Sequence, residues 1–463
     1  MLTYNFDKAK GPIYLYLYKC IKNDILSGKL KPKEKLPSKR SFAQNNGISI
    51  ITIQNAYDQL ISEGYVYTLP KKGYYVAALD KMPGALADSK VDYDIKVPEK
   101  DKYECDLSSN RVNPDNFPFS IWTRVSRDVM SNMKEELMQI SPTAGVMELR
   151  EAIAEHLKSF RGMLVDPNQI IVGSGTEYLY GLIVQLLGRE KKYVIENPGY
   201  KKLADVYRKQ GIEFSYADLD DEGITAEELE NSGADIAHIC PNHHFPTGIT
   251  MPASRRYEVL AWANAGNERY IIEDDYDSEF RVAGKPIPPL FSIDACEKVI
   301  YMNTFSKSLS PTIRISYMIL PVHLANRFYE TMSFYSCTVS NFEQYTLARF
   351  ISQGYLEKHI NRMRLYYTKQ RQFLMHIIDR SALGDKCTIL ENDSGLHFLI
   401  MLDTDKTDEE IEKSLKDKGI KIKALSDYYF TDKAKSRHCF IVNYSNLDEN
   451  RIKETLKDIK NSI

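Results

Sequence analysis

The sequence predicts an α/β protein of two unequal parts: a small basic helical head ending in a two-stranded hairpin, and a large domain with a mostly parallel central sheet. Three observations lead there. Residues 1 to 77 hold 12 Lys+Arg against 5 Asp+Glu, a net charge of +7 within a chain total of −2, which leaves the remainder at −9. A basic small part on an acidic large one points to a polyanion partner for the front alone. The first 64 residues show apolar spacing of helical period broken by cap residues, and from about residue 169 short apolar runs alternate with helical patterns.

With 463 residues, 43% of them hydrophobic, the chain is long enough for two or three separate cores. No run of about 18 apolar residues occurs, so no membrane span is expected. Met1-Leu-Thr-Tyr-Asn-Phe-Asp7 has no basic segment leading into an apolar core, which places the expected location in the cytoplasm. The seven cysteines are scattered and never at ligand spacing, so neither a disulfide framework nor a zinc site is expected.

The head, residues 1 to 77, reads as three helices and a wing. Ile13, Leu15, Leu17, Ile21 and Ile25 recur at helical spacing before Ser27-Gly28. Ser38 is an N-cap and Gly47 a C′ glycine around a short second helix. Ser49 caps a third, closed by Gly64. The last two form a helix-turn-helix whose second helix would enter the major groove. Tyr65-Val-Tyr67 and Tyr74-Tyr-Val-Ala77 flank Pro70-Lys-Lys-Gly73 as two strands with a basic tip. Residues 78 to 104, charged and broken by Pro83-Gly84 and Pro98, read as a mostly flexible tether.

The wording Leu36-Pro-Ser-Lys-Arg40, Ile48-Ser-x-x-Thr52-Ile, Ala56-Tyr-x-x-Leu60, Glu63-Gly-Tyr65 and Lys72-Gly73 resembles the winged helix-turn-helix of the GntR regulators. The resemblance implies a double-stranded DNA operator as partner. Lys39, Arg40, Lys71 and Lys72 would meet the phosphate backbone, and Ser49, Thr52, Gln54 and Asn55 would lie toward the groove. Ile50 stands where the family usually has arginine, so either Ile50 meets a thymine methyl or affinity rests more on the lysines.

In the large domain, residues 105 to 463, strands are predicted at 169–173, 192–196, 236–240, 270–273, 299–302 and 316–320. The first runs into Gly173-Ser-Gly-Thr176, a turn whose free N–H groups at a helix start can cradle a phosphate. The fourth ends in Glu273-Asp-Asp-Tyr-Asp277; buried acids there each need a partner, and a pyridinium nitrogen on Asp274 supplies one. A metal site competes, but no nearby His or Cys has ligand spacing. The fifth leads to Lys307, flanked by the hydroxyls of Thr304, Ser306 and Ser308 and followed by Arg314. A desolvated lysine condenses with an aldehyde, and an arginine fork suits a phosphate dianion.

Pro142-Thr-Ala-Gly145, Gly173-Ser-Gly-Thr176, Asn197-Pro-Gly-Tyr200, Phe245-Pro-Thr-Gly248, Asp274-Asp-Tyr276, Ser306-Lys307, Arg314 and Arg437 follow one another as in the fold-type I aminotransferases, which this part resembles. That implies a small C-terminal subdomain and pyridoxal 5′-phosphate as cofactor. Lys307 would form the Schiff base, Asp274 face the ring nitrogen, Tyr276 the phenolic oxygen and Tyr200 the ring. Gly175, Thr176, Ser306 and Arg314, with Thr304 nearby, would hold the phosphate. Arg437 matches the arginine that forks an amino acid's carboxylate. Two positions depart: Phe245 replaces the usual asparagine, with His243 and His244 before it, and Ile140 replaces a tyrosine that reaches the partner subunit's phosphate.

Head and large domain together resemble the MocR branch of the GntR regulators, most closely its GabR-like members. The resemblance implies a regulator that senses pyridoxal phosphate, alone or with an amine or amino acid that displaces Lys307. It implies control of vitamin B6, amine or amino-acid genes and a head-to-tail, domain-swapped homodimer. Lys202 stands where those members use an arginine to hold the effector. The alternative is a working aminotransferase that carries a DNA tether; Phe245 and Ile140 favour the regulator.

Overall fold

Gly47, at φ +63°, turns the chain between two helices and so shapes the head. Helix α1 (Ile13–Leu26) buries Leu17, Tyr18, Ile21 and Ile25. Helix α2 (Lys39–Asn46) is capped by Ser38, which accepts from Ser41 N at 3.2 Å. Helix α3 (Ile50–Ser62) is capped by Ser49, which accepts from Thr52 N at 3.1 Å, and buries Ile53, Ala56, Tyr57 and Leu60. Strands β1 (Val66–Leu69) and β2 (Gly73–Val76) pair antiparallel from Val66↔Val76 to Leu69↔Gly73, and Lys35 bridges Tyr75 beside them.

The computed structural model describes residues 2–6, 9–79, 95–98, 101–109, 112–280, 287–390, 395–431 and 436–463. Most of the tether expected over 78–104 lies outside them. The chain divides into two compact units, Met1–Lys100 and Asp101–Ile463.

Strand β3 (Cys105–Asp106) opens the second unit. The strands β4 (Ile170–Gly173), β5 (Tyr193–Asn197), β6 (Phe214–Asp220), β7 (Gly223–Ile224), β8 (Ile236–Ile239), β9 (Tyr270–Asp274), β10 (Val299–Thr304) and β11 (Ser316–Ile319) form one sheet in the order β4-β11-β10-β9-β8-β5-β6-β7. Neighbours from β10 through β6 are parallel. β11 runs antiparallel to both β10 and β4, and β7 to β6. All six predicted strands are present. Both faces of the sheet are apolar and covered, with Ile183, Tyr207 and Phe328 on one side and Val259, Trp262 and Leu290 among those on the other.

The C-terminal part adds β12 (Cys387–Leu390), β13 (His397–Leu402), β14 (Ile420–Lys421), β15 (Lys423–Ala424) and β16 (Cys439–Asn443). An antiparallel sheet runs β12-β13-β16-β15, and β14 pairs in parallel with β3 through Ile420↔Cys105. Leu374, Phe398, Ile411, Phe440 and Leu456 make its core.

In the large sheet β4, β5, β8, β9 and β10 all end along one edge. β11 starts there, with Ser316 paired to Thr304 and to Gly173. Side chains just beyond those ends therefore converge, as ligand-binding residues do in open α/β sheets.

Candidate cofactor site and DNA-facing surface

The acidic turn after β9 is buried, and each of its acids has a partner. Glu273 accepts from Leu290 N and Phe291 N at 3.0 Å each and lies 3.9 Å from the Arg256 guanidinium; burial still pushes its carboxyl up to about 7. Asp275 is held by Arg161, by Tyr301 Oη at 2.6 Å and by Ser278 Oγ at 2.9 Å. Asp277 contacts His243 Nδ1 at 2.9 Å. Asp274 accepts from Tyr180 Oη at 2.7 Å on Oδ2, with His238 Nε2 3.6 Å away, while its Oδ1 is buried with no hydrogen-bond partner. One oxygen is thus left without a donor among the described residues.

Asp274 lines a cavity of about 790 Å³ together with Tyr276, Lys307, Tyr200, Thr176 and Arg314, and with Thr304, Ser306 and Lys202. Lys307 sits in the helical turn Phe305–Ser308 that follows β10, three residues past Thr304, at the carboxyl end of the strand as the sequence placed it. Burial lowers its ammonium pKa below the ordinary lysine value, against the pull of the Asp277 charge, which favours the neutral, nucleophilic amine. Thr304 caps that turn: its Oγ1 accepts from Ser306 N at 3.1 Å and from Ser316 Oγ at 2.8 Å.

Gly175, at φ +98°, is the N-cap of the helix Thr176–Leu187. A Cβ there would come within 2.4 Å of the Arg314 Nη2, so the guanidinium lies directly over the turn. Arg314 itself adopts φ +52°. Its Nη2 donates to the carboxylate of Glu177, which also pairs with Lys202. An anion thus already rests on the arginine at the head of this helix.

Tyr276 Oη lies 3.2 Å from His243 Nδ1, and burial holds its phenol well above the usual value, so it stays a neutral donor. His243 and His244 are buried. Gly395 makes room for the first of them, since a Cβ at Gly395 would fall 1.8 Å from the His243 ring. Phe245 meets Tyr200, Tyr428 and His397 edge-on. Arg437 is exposed and is not among the residues lining the cavity. Ile140, 83% exposed, does not line it either.

Four residues of the site were missed in the sequence. Tyr180 stands four residues after Thr176 on the same helix face, a spacing that could have revealed it. His238, within an apolar strand and held by Tyr207 Oη at 2.7 Å, was a second signal. Lys421 and Lys423 also line the cavity, the latter bound to Glu412 and Asp427 at 2.6 Å each, and no local pattern marks them.

In the head, Arg40, Ser49, Gln54, Asn55, Lys71 and Lys72 are exposed, and Lys39 and Thr52 are half-buried. Ser49 is occupied in capping. The Lys39 Nζ lies over the Tyr74 ring, 5.6 Å from its centroid. Lys71, at φ +61°, forms the tip of the β1–β2 turn.

Comparison with known families gives two matches: "Bacterial regulatory proteins, gntR family" over residues 13–76 and "Aminotransferase class I and II" over residues 104–459. The chain is 34% identical over 456 residues to the uncharacterized HTH-type transcriptional regulator YdeL of Bacillus subtilis, covering 97% of this chain and 96% of that one. It is a GntR-family regulator of the MocR type. The probable rhizopine catabolism regulatory protein MocR of Rhizobium meliloti is 29% identical, spanning 100% of this chain and 96% of the relative. The pyridoxine biosynthesis regulator PdxR of Corynebacterium glutamicum is 28% identical, spanning 96% and 94%. Among solved structures, a kynurenine aminotransferase from Pyrococcus horikoshii aligns with a TM-score of 0.67 at 24% identity over 77% of this chain and 90% of its own. A multiple substrate aminotransferase from Thermococcus profundus aligns at 0.69 and 23% identity, over 79% and 92%. These two share the fold.

The aminotransferase-like domain of this MocR-type regulator implies pyridoxal 5′-phosphate, and the cavity fits that group. The partnerless Oδ1 of Asp274 suits a protonated ring nitrogen. The Gly175 turn under Arg314 suits a phosphate. Lys307 offers the amine. No helix among the described residues is long and apolar enough to cross a membrane.

Proposed function

We propose that this transcriptional regulator responds to pyridoxal phosphate and to a primary amine or amino acid that competes for it, and so adjusts genes of vitamin B6, amine or amino-acid metabolism. The observation that carries the reading is that Asp274, with one buried carboxylate oxygen unpartnered among the described residues, lines the same cavity as Lys307, whose pKa burial lowers. When bound, the cofactor supplies an aldehyde that condenses with amines and a ring that withdraws electrons. The protein's part is to hold it. Lys307 presents an amine whose pKa burial has lowered, Asp274 offers its open carboxylate oxygen to a ring N–H, and Tyr276 donates from a phenol that does not ionise. Arg314, Gly175, Thr176 and Ser306 receive the phosphate, and Tyr200 covers one face. Lys202 is available to an effector's carboxylate once it leaves Glu177; Arg437 would have to move to take the role expected of it.

DNA binding is assigned to α3 and the hairpin, with Arg40, Lys71 and Lys72 on phosphates. A homodimer is part of the proposal: Met138, Ile140 and Phe334 are 73%, 83% and 76% exposed. The segments that carry them adjoin where Thr143 Oγ1 donates to Ser333 O and Tyr335 O. Large apolar side chains exposed on adjoining segments are a common mark of a surface that another chain covers. An effector can shift the regulator between states only by its difference in affinity for them.

The second reading, a turning-over aminotransferase, draws on Lys307, Asp274 and Tyr276 sharing one cavity. Phe245, with no amide to offer, and the position of Arg437 argue against it. Multiple-turnover assays with amino donors and 2-oxo acids decide. The regulator reading expects no sustained turnover together with DNA affinity that changes when pyridoxal phosphate and amine are added; rates typical of aminotransferases, of roughly 1–1000 per second, would overturn it.

A further inference from the structure

Helix α3 divides into two faces. Ile53, Ala56, Tyr57 and Leu60 are buried, whereas Ile50, Ile51, Gln54, Asn55 and Asp58 are exposed. The exposed five lie at i, i+1, i+4, i+5 and i+8, one continuous stripe. At its leading end stand two isoleucines, 46% and 71% exposed, where a helix with nothing to meet carries polar side chains. The helix has no Lys or Arg, and Asp58 is its only charged residue.

That composition excludes one kind of reading and favours another. The commonest direct contact in the major groove is Arg or Lys on the O6 and N7 of guanine, and α3 cannot make it. Apolar side chains find one complementary feature in the groove, the 5-methyl of thymine. Carboxamides match the N6 and N7 of adenine. Gln54 and Asn55 sit one turn behind the isoleucines, so both features of A·T pairs are met by neighbouring positions. Asp58 repels phosphates, and attraction to the backbone falls to Arg40, Lys71 and Lys72, all outside α3.

We infer that α3 reads A·T base pairs, Ile50 and Ile51 packing on thymine methyl groups while Gln54 and Asn55 bond adenine. The inference rests on the head being the DNA-binding part and adds which bases it selects. The Ser49 cap holds the first turn of α3 in place and so presents the two isoleucines rigidly.

The test uses the full-length protein and a pool of randomised duplexes selected at fixed salt. Half-sites dominated by A·T pairs are expected. In the selected duplex, replacing thymine by deoxyuridine removes only the methyl. Each methyl in contact should cost about fourfold in affinity. The double variant Ile50→Ala, Ile51→Ala, with unchanged circular dichroism, should bind more weakly and no longer distinguish the two duplexes. A selected half-site built on G·C pairs, or equal affinity for thymine and deoxyuridine duplexes in the unaltered protein, overturns the inference and leaves DNA binding intact. Failure to retain any duplex even at low salt overturns both readings.

Discussion

Tyr180 donates a 2.7 Å hydrogen bond to Oδ2 of Asp274, and no group among the described residues does the same for Oδ1. The carboxylate is therefore half satisfied. Removing the tyrosine hydroxyl leaves both oxygens of a buried carboxylate without a close donor. Tyr180→Phe should lower the stability of the cofactor-free protein by about 1–3 kcal/mol, seen in chemical denaturation. A variant as stable as the parent would mean that Asp274 finds a replacement donor.

Glu177 ties the arginine at the helix start to Lys202. All three side chains are partly exposed, which makes each ion pair modest. Glu177→Gln should strengthen binding of inorganic phosphate and of pyridoxal phosphate by up to about fivefold, and Arg314→Ala should weaken both. Titration of the full-length cofactor-free protein measures this. Weaker phosphate binding by Glu177→Gln would show that the carboxylate supports the cradle instead of competing within it.

Lys307 is the amine that the cavity presents, and the head lies in a separate unit. Lys307→Ala should lose any borohydride-fixed adduct with pyridoxal phosphate while nonspecific DNA affinity stays unchanged. Loss of DNA binding in a folded Lys307→Ala protein is the outcome that sinks the modular picture.

Burial, helped by the charge of Asp274, raises the Glu196 carboxyl from 4.5 to about 8, though Cys240 N donates to it at 2.9 Å. The folded state thus binds a proton that the unfolded chain has released. Its contribution to stability is fully present below about 4.5 and is lost as the pH rises to about 8. Glu196→Gln should flatten the fall in stability across that window, as followed by denaturation at both ends. An unaltered slope would mean that Glu196 is charged in the folded protein.

Much of this architecture was legible because local chemistry fixes it. Ser38, Ser49 and Gly47 announce the helix ends of the head, and the apolar runs announce six strands. What stayed hidden is non-local. The reversal of β11 leaves no trace in an apolar pattern that would be the same in either direction. The pairing of β3 with β14 joins Cys105 to Ile420, far apart in the chain. In the site, Lys307, Asp274 and Arg314 stood out as reactive types at strand ends, but the engagement of Glu177 with Arg314 depends on how two side chains meet in space. Arg437 shows the converse: position along the chain marked it, while its side chain faces solvent.

The strands that converge on Asp274 are not neighbours in the order of synthesis. The edge beside Gly173 is closed only by β11, and the cavity also takes Lys421, Lys423 and Tyr428 into its lining, so it cannot assemble until the ribosome has passed Tyr428, whereas the head is complete at Val76. At typical elongation rates the gap is roughly twenty to seventy seconds. During that interval each growing chain carries a finished winged helix-turn-helix while the sheet that frames the cavity is still incomplete.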